Sequence, residues 1–221
     1  MKSLLTERKT IAWFTLAECV SRGERERAFG VYRLLSHSLD DRALALQLEG
    51  DLFCAFKMST EALEKYDKAM RLYKQSGKLL EAAAVCEHMR ILEPDNSLHM
   101  QHALELYGLL QFEDRVAELL VALVVKFVQQ GLCDAACALA PLVHELHSYG
   151  KQGFCYESVV AALSQMHEVP VHVRILYAQK AAAAYIQHGV NDQLKQFMAN
   201  LRAHDTEAYH AAVKLVKDPQ I

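Results

Sequence analysis

The chain has 221 residues, enough for one domain or two small ones with a real buried core. Hydrophobic residues make up 52% and charged residues 23%, which is too apolar for a disordered chain. Nine Gly and four Pro are too few for the many turns of a β-sandwich or barrel, and a net charge of -3 gives no basic excess for nucleic acid or an anionic membrane.

The first segment, MKSLLTERKTIAW, is interrupted by Glu7, Arg8 and Lys9 before a signal-peptide apolar stretch can form. From there the period is helical throughout. Ala62, Tyr66, Ala69 and Tyr73 are spaced four, three and four apart, one face of a helix. Short breaks separate such runs. In chain order they are Ser21-Arg22-Gly23, Asp40-Asp41, Met58-Ser59-Thr60, Ser76-Gly77, Glu93-Pro94-Asp95-Asn96, a joint near Gln111, Gln130-Gly131, Tyr149-Gly150, Val169-Pro170, His188-Gly189 and His204-Asp205. Several pair a closing Gly with a polar opening, as helix ends do. They predict about twelve helices and no strand. The last helix, about 206–218, opens on the capping signal Asp205-Thr206-Glu207 and closes with Lys214 and Lys217, which suits a polar terminal cap.

Charge is unevenly spread. Residues 1–115 carry 34 charged side chains, whereas residues 116–190 carry nine. The second stretch therefore predicts helices buried on more than one face, as a closed core or as a surface for a partner or a second copy. The longest strongly apolar run, Leu119 to Val125, spans seven residues, against about 20 for a membrane-crossing helix. A soluble, cytoplasmic protein is expected. The six cysteines lie scattered inside helical patterns, which predicts reduced, mostly buried thiols.

Sites of chemistry are not evident. Cys133 and Cys137 share a helix face and His144 and His147 follow. On a continuous helix, however, Cys133 and His144 would stand about 16 Å apart, too far for one zinc ion. His144-Glu145-Leu146-His147 is one residue short of the zinc-protease spacing. No phosphate-cradling Gly-rich loop or nucleophile elbow occurs. Lys65, Lys68 and Arg71 sit among Glu61, Glu64 and Asp67, a mixed solvated helix face rather than a nucleic-acid patch. The expectation is no catalytic residue, no metal and no cofactor.

A repeat is visible. Gly23, Ala28 and Tyr32 recur 34 residues later as Lys57, Ala62 and Tyr66. The second unit adds Gly50 and Phe53, where a small and an aromatic residue let two antiparallel helices approach. Phe127, Gly131 and Ala136 repeat the theme, as do Ala182, Tyr185 and Gly189. The pattern resembles the tetratricopeptide-repeat family, most clearly over 43–76, and also over 9–42, 117–150 and 175–208. Leu16 departs from it where a small residue is expected, and the frame slips in 77–116 and 151–174.

That resemblance implies an all-α, right-handed α-solenoid of antiparallel helix hairpins, a single domain over 1–221. It also implies a concave groove lined by the first helix of each unit. Carried onto the matching units, the candidate groove residues are Trp13, Leu44, Gln47, Asp51, Val121, Val125, Val128, Leu176, Gln179 and Ile186. Family members that grip a chaperone's C-terminal carboxylate use Lys and Asn at places held here by Trp13 and Ala17, so chaperone-tail binding is not expected. The implied function is non-catalytic: a scaffold, adaptor or chaperone-like holder of an apolar or amphipathic protein segment. The alternatives are a self-associating structural subunit and, third, an enzyme with a site between helices.

Overall fold

The computed structural model describes residues 2–146, 149–166 and 169–217. Among them there are twelve α-helices, one 3-10 segment and no strand. The protein is all-α, with successive helices packed on their chain neighbours, as in helical-repeat proteins. It divides into two compact units, 1–106 and 107–221.

The first unit holds α1 (Lys2–Ser21), α2 (Arg25–Ser36), α3 (Arg42–Ala55), α4 (Ser59–Gln75) and α5 (Leu79–Leu92), and α6 (Ser97–Leu109) begins in it. α1 pairs with α2, α3 with α4, and α4 with α5. The α1–α3 core is built from Cys19, Ala28, Tyr32 and Leu52, with Leu16, Val20, Phe29, Leu48 and Phe56 around it. Leu16 thus packs at this core although the repeat pattern favours a small residue there.

One turn recurs through the chain. Gly23, Lys57, Gly77, Gln111, Gly131 and Gly189 all adopt positive φ, between 58° and 74°. In each case the next residue donates its N–H to a carbonyl five positions back, from Glu24 to Cys19, Met58 to Phe53, Lys78 to Tyr73, Phe112 to Tyr107, Leu132 to Phe127 and Val190 to Tyr185. This is the Schellman termination, which satisfies carbonyls left open at a helix end. A new helix starts two residues after each positive-φ position. Gly23 to Lys57 and Gly77 to Gln111 each span 34 residues.

Over 77–116, where the 34-residue pattern slips in sequence, Gly77 and Gln111 bound the two helices α5 and α6. α5 and α6 meet at Glu93–Asn96, later than the α3–α4 turn at Lys57 would place them, and a shorter α6 restores the count by Gln111.

The second unit holds α7 (Glu113–Gln129), α8 (Cys133–Ala138), a 3-10 segment (Ala140–Glu145), α9 (Tyr149–Ser164), α10 (Val171–Gln187), α11 (Asn191–His204) and α12 (Thr206–Lys217). Tyr149 and Gly150 open α9 rather than forming a break. α10 packs against α8, α9, α11 and α12. Its Val173, Tyr177, Ala178, Ala181, Ala182, Ala184 and Tyr185 are all buried, and small side chains let several helices close in. This accounts for the low charge of the segment: much of it is core. Asp205 fixes the start of α12 by accepting from the N–H of Ala208 and pairing with Arg174 of α10.

Candidate partner-binding face

The sequence places a small residue, Gly50, on α3 opposite an aromatic, Tyr66, on α4. A Cβ on Gly50 would come within 2.6 Å of the Tyr66 ring, so glycine is what allows the ring to lie flat on the α3 backbone. The Tyr66 hydroxyl then reaches past the helix and donates to Asp51 Oδ1 at 2.7 Å. Two turns further along α4, the Tyr73 hydroxyl donates to Gln47 Oε1 at 2.9 Å. Tyr66 and Tyr73 occupy the same side of α4, and Asp51 and Gln47 are one turn apart on α3. The pairing runs antiparallel.

α5 closes the other side. The His88 ring lies 5.6 Å from the Tyr66 ring. Just before α3 and α5, Asp41 and Lys78 form an ion pair that ties the starts of the two helices together. Asp41 also accepts from the first-turn N–H groups of Ala43 and Leu44; the Lys78 hydrogen bond first, and then these backbone bonds, hold its carboxyl below the usual range. The face between α3 and α5 is therefore underlain by two buried tyrosines and bordered by Leu44, Gln47 and Asp51 on one side and Glu81, Ala84 and His88 on the other. Burial comes first, with the charges of Asp41, Glu81 and Asp51, in raising the Tyr73 hydroxyl above its ordinary value. Burial and the Asp51 contact do the same for Tyr66. Both phenols stay protonated and act as donors.

Leu44, Gln47 and Asp51 thus belong to one face, and Gln47 and Asp51 are engaged by tyrosines of the same chain. Trp13 is 37% exposed on α1, next to Ile11 and Phe14, which are 64% and 73% exposed. It is not part of the α1–α3 core cluster.

In the second unit the expected residues fare differently. Val121 and Val125 are half-buried on α7. Val128 is a correction: it is buried on the packed side of α7 with Val124 and Phe127, so it supplies core rather than open surface. Leu176, Gln179 and Ile186 are half-buried on α10, the helix enclosed by four others.

The residues that sequence reasoning missed are on α5 and α9. Glu81, Ala84 and His88 fall in the stretch where the repeat frame slips. On α9, Gly153 stands against Tyr185 of α10 as Gly50 stands against Tyr66; an added Cβ would lie 2.5 Å from the ring. The Tyr185 hydroxyl donates to Glu157 of α9, so glycine, tyrosine and carboxylate recur as a set. A depression beside it is lined by Lys151, Phe154, Glu157, Tyr185, Gln193 and Gln196. Lys151 already pairs with Asp114 at 2.7 Å.

The thiols are free and none forms a disulfide among the described residues. Burial pushes the Cys86 and Cys155 thiols up to about 12, which removes those two from thiolate chemistry near neutral pH. Cys133 and Cys137 lie on α8, but the α-helix ends at Ala138 and gives way to the 3-10 segment containing Pro141. His147 and the side chain of His144 fall outside the described residues. Among the described residues no group of three or more His, Cys, Asp or Glu is placed to hold a metal ion. No helix of these residues is long and apolar enough to cross a membrane.

No protein-family model matches the sequence, and no curated protein does either. Among solved structures the chain is similar to BtubC (BKLC) from P. vanneervenii at 15% identity, with 96% of this chain and 82% of that chain covered. The TM-score is 0.40.

Proposed function

We propose that the protein is a non-catalytic scaffold of tetratricopeptide-like hairpins that binds a segment of another protein. The observation that carries this reading is the α3–α5 face. Two buried tyrosines brace it from beneath, and half-buried or exposed side chains border it on both helices. Such a surface exists before a partner arrives, so little scaffold entropy is lost on binding. The 34-residue recurrence of the Schellman turn and the Gly50–Tyr66 contact support the assignment of the hairpins to the tetratricopeptide type.

The test is affinity capture with the full chain as bait, run beside Leu44→Glu after circular dichroism has shown that the variant is folded. A protein retained by the unaltered bait and lost with the variant is the expected result. Bait that recovers only itself, together with a mass in solution that rises with concentration, would replace this reading with a self-associating subunit.

A further inference from the structure

The α3–α5 face carries charge as well as apolar surface. On α5 the outward residues are Leu80, Glu81, Ala84, His88 and Ile91, which fall within about 100° of helix arc at 100° per residue. Leu80 is 58% exposed and Ile91 75%, so the arc presents two large aliphatic side chains to water. Glu81 and His88 lie on the side of that arc nearer α3: the charge of Glu81 reaches Tyr73, and His88 packs on Tyr66. Leu80 and Ile91 form the other side, with Ala84 between the two.

The carboxylates on this face are not equivalent. Asp41 is answered by Lys78 and by two N–H groups. Among the described ion pairs none involves Asp51 or Glu81. Lys78 is near Glu81, but its ammonium is held by Asp41. Lys65, on α4, is held by Glu49. Asp51 is fixed in place by the Tyr66 hydroxyl on one oxygen, which leaves the other to accept a further hydrogen bond. The face therefore offers a pre-positioned acceptor and a second negative charge beside an exposed aliphatic strip.

We propose that this face takes a basic amphipathic helix of a partner protein. Its aliphatic side chains cover Leu80, Ala84 and Ile91, and its Arg or Lys residues meet Asp51 and Glu81. Nucleic acid and acidic segments are repelled by the same two carboxylates. The inference rests on the scaffold reading above and adds the chemistry of the occupant.

The experiment is selection of a phage-displayed library of amphipathic helical peptides, about 14 residues or four turns long, on the full chain. The expected result is enrichment of Arg and Lys beside the apolar positions, roughly threefold or more over the input library. Isothermal titration of an enriched peptide then gives a reading in solution. The double variant Asp51→Asn, Glu81→Gln should weaken it roughly tenfold, about threefold per carboxylate. Asn keeps an oxygen for the Tyr66 hydroxyl, so the fold is spared. Leu80→Ser with Ile91→Ser should weaken binding further. Enriched peptides that are neutral or acidic, or an affinity indifferent to the Asp51 and Glu81 changes, would overturn the inference. If such peptides still lose binding on Leu80→Ser with Ile91→Ser, the scaffold reading stands without it. A library that yields no binder counts against both.

Discussion

Replacing Gly50 by Ala tests whether the Tyr66 contact organises the first unit. The new Cβ would sit 2.6 Å from one ring carbon of Tyr66 and 2.7 Å from another, where ordinary contact begins at 3.4 Å. The ring would have to retreat by about 0.8 Å, the difference of those distances. It has little room, because Tyr66 is 1% exposed and its hydroxyl is tied to Asp51. Overpacking of this kind costs about 1–3 kcal/mol. Straining the bond to Asp51 adds about 1 kcal/mol, and the better helix propensity of Ala returns about the same. The net expectation is a loss of about 1–3 kcal/mol. Gly30 supplies the control. It lies inside α2, and a Cβ there meets nothing within 4 Å. Gly30→Ala should therefore stabilise by about 0.5–1 kcal/mol. Both sites lie in the unit 1–106, so urea unfolding followed by far-ultraviolet circular dichroism reads them in the same transition. Midpoints that move in the same direction for the two variants would refute the close-approach argument.

Two further outcomes follow from local structure. Lys57 and Gln111 hold φ of 58° without being glycine, so Lys57→Gly and Gln111→Gly should each stabilise by about 0.5–1 kcal/mol, whereas Gly77→Ala should destabilise by a similar amount. A lowered urea midpoint for either glycine variant would contradict that assignment. His102 on α6 is held below its ordinary value of 6.5, first by burial and then by its neighbours His99 and Arg71, against the opposing pull of Asp67 and Glu105. The folded chain thus binds that proton less readily than the unfolded one, so its contribution to stability is complete above pH 6.5 and falls away as the pH drops below it. Urea midpoints between about pH 7.5 and 5.5 should fall less steeply for His102→Gln than for the unaltered chain, and equal slopes would refute this role.

The helical architecture was legible because its signals are local. Glycines at 23, 77, 131 and 189 mark left-handed helix ends that only glycine enters without cost. The same turn at Lys57 and Gln111 carries no such residue. It was found only through the polar run after Lys57 and a break in periodicity near Gln111. Gly50 and Tyr66 could be paired in sequence because a three-residue connection fixes their register. Gly153 and Tyr185 could not, since their hairpin has a longer connection and no 34-residue count links them. The frame chosen for 175–208 put α10 at the front of a unit, yet α10 carries the tyrosine that lies on α9. Periodicity tells which residues of a helix are apolar but not how many neighbours cover it, so Val128 read as groove and is core. The α5 border of the face escaped notice because the α5–α6 turn is displaced within its unit.

The way α10 is enclosed has a consequence for how each half tolerates change. In residues 1–106 helices meet mainly along the order of the chain, so loss or duplication of one hairpin disturbs only the adjoining contacts. In residues 107–221 one helix is the common partner of four others, and removing any hairpin that includes it strips the remainder of its shared core. The first half can be shortened by a whole hairpin with the rest still packed, whereas the second depends on one shared core. Lineages that lengthen or shorten this protein should accordingly do so in the N-terminal half and leave the C-terminal half at constant length.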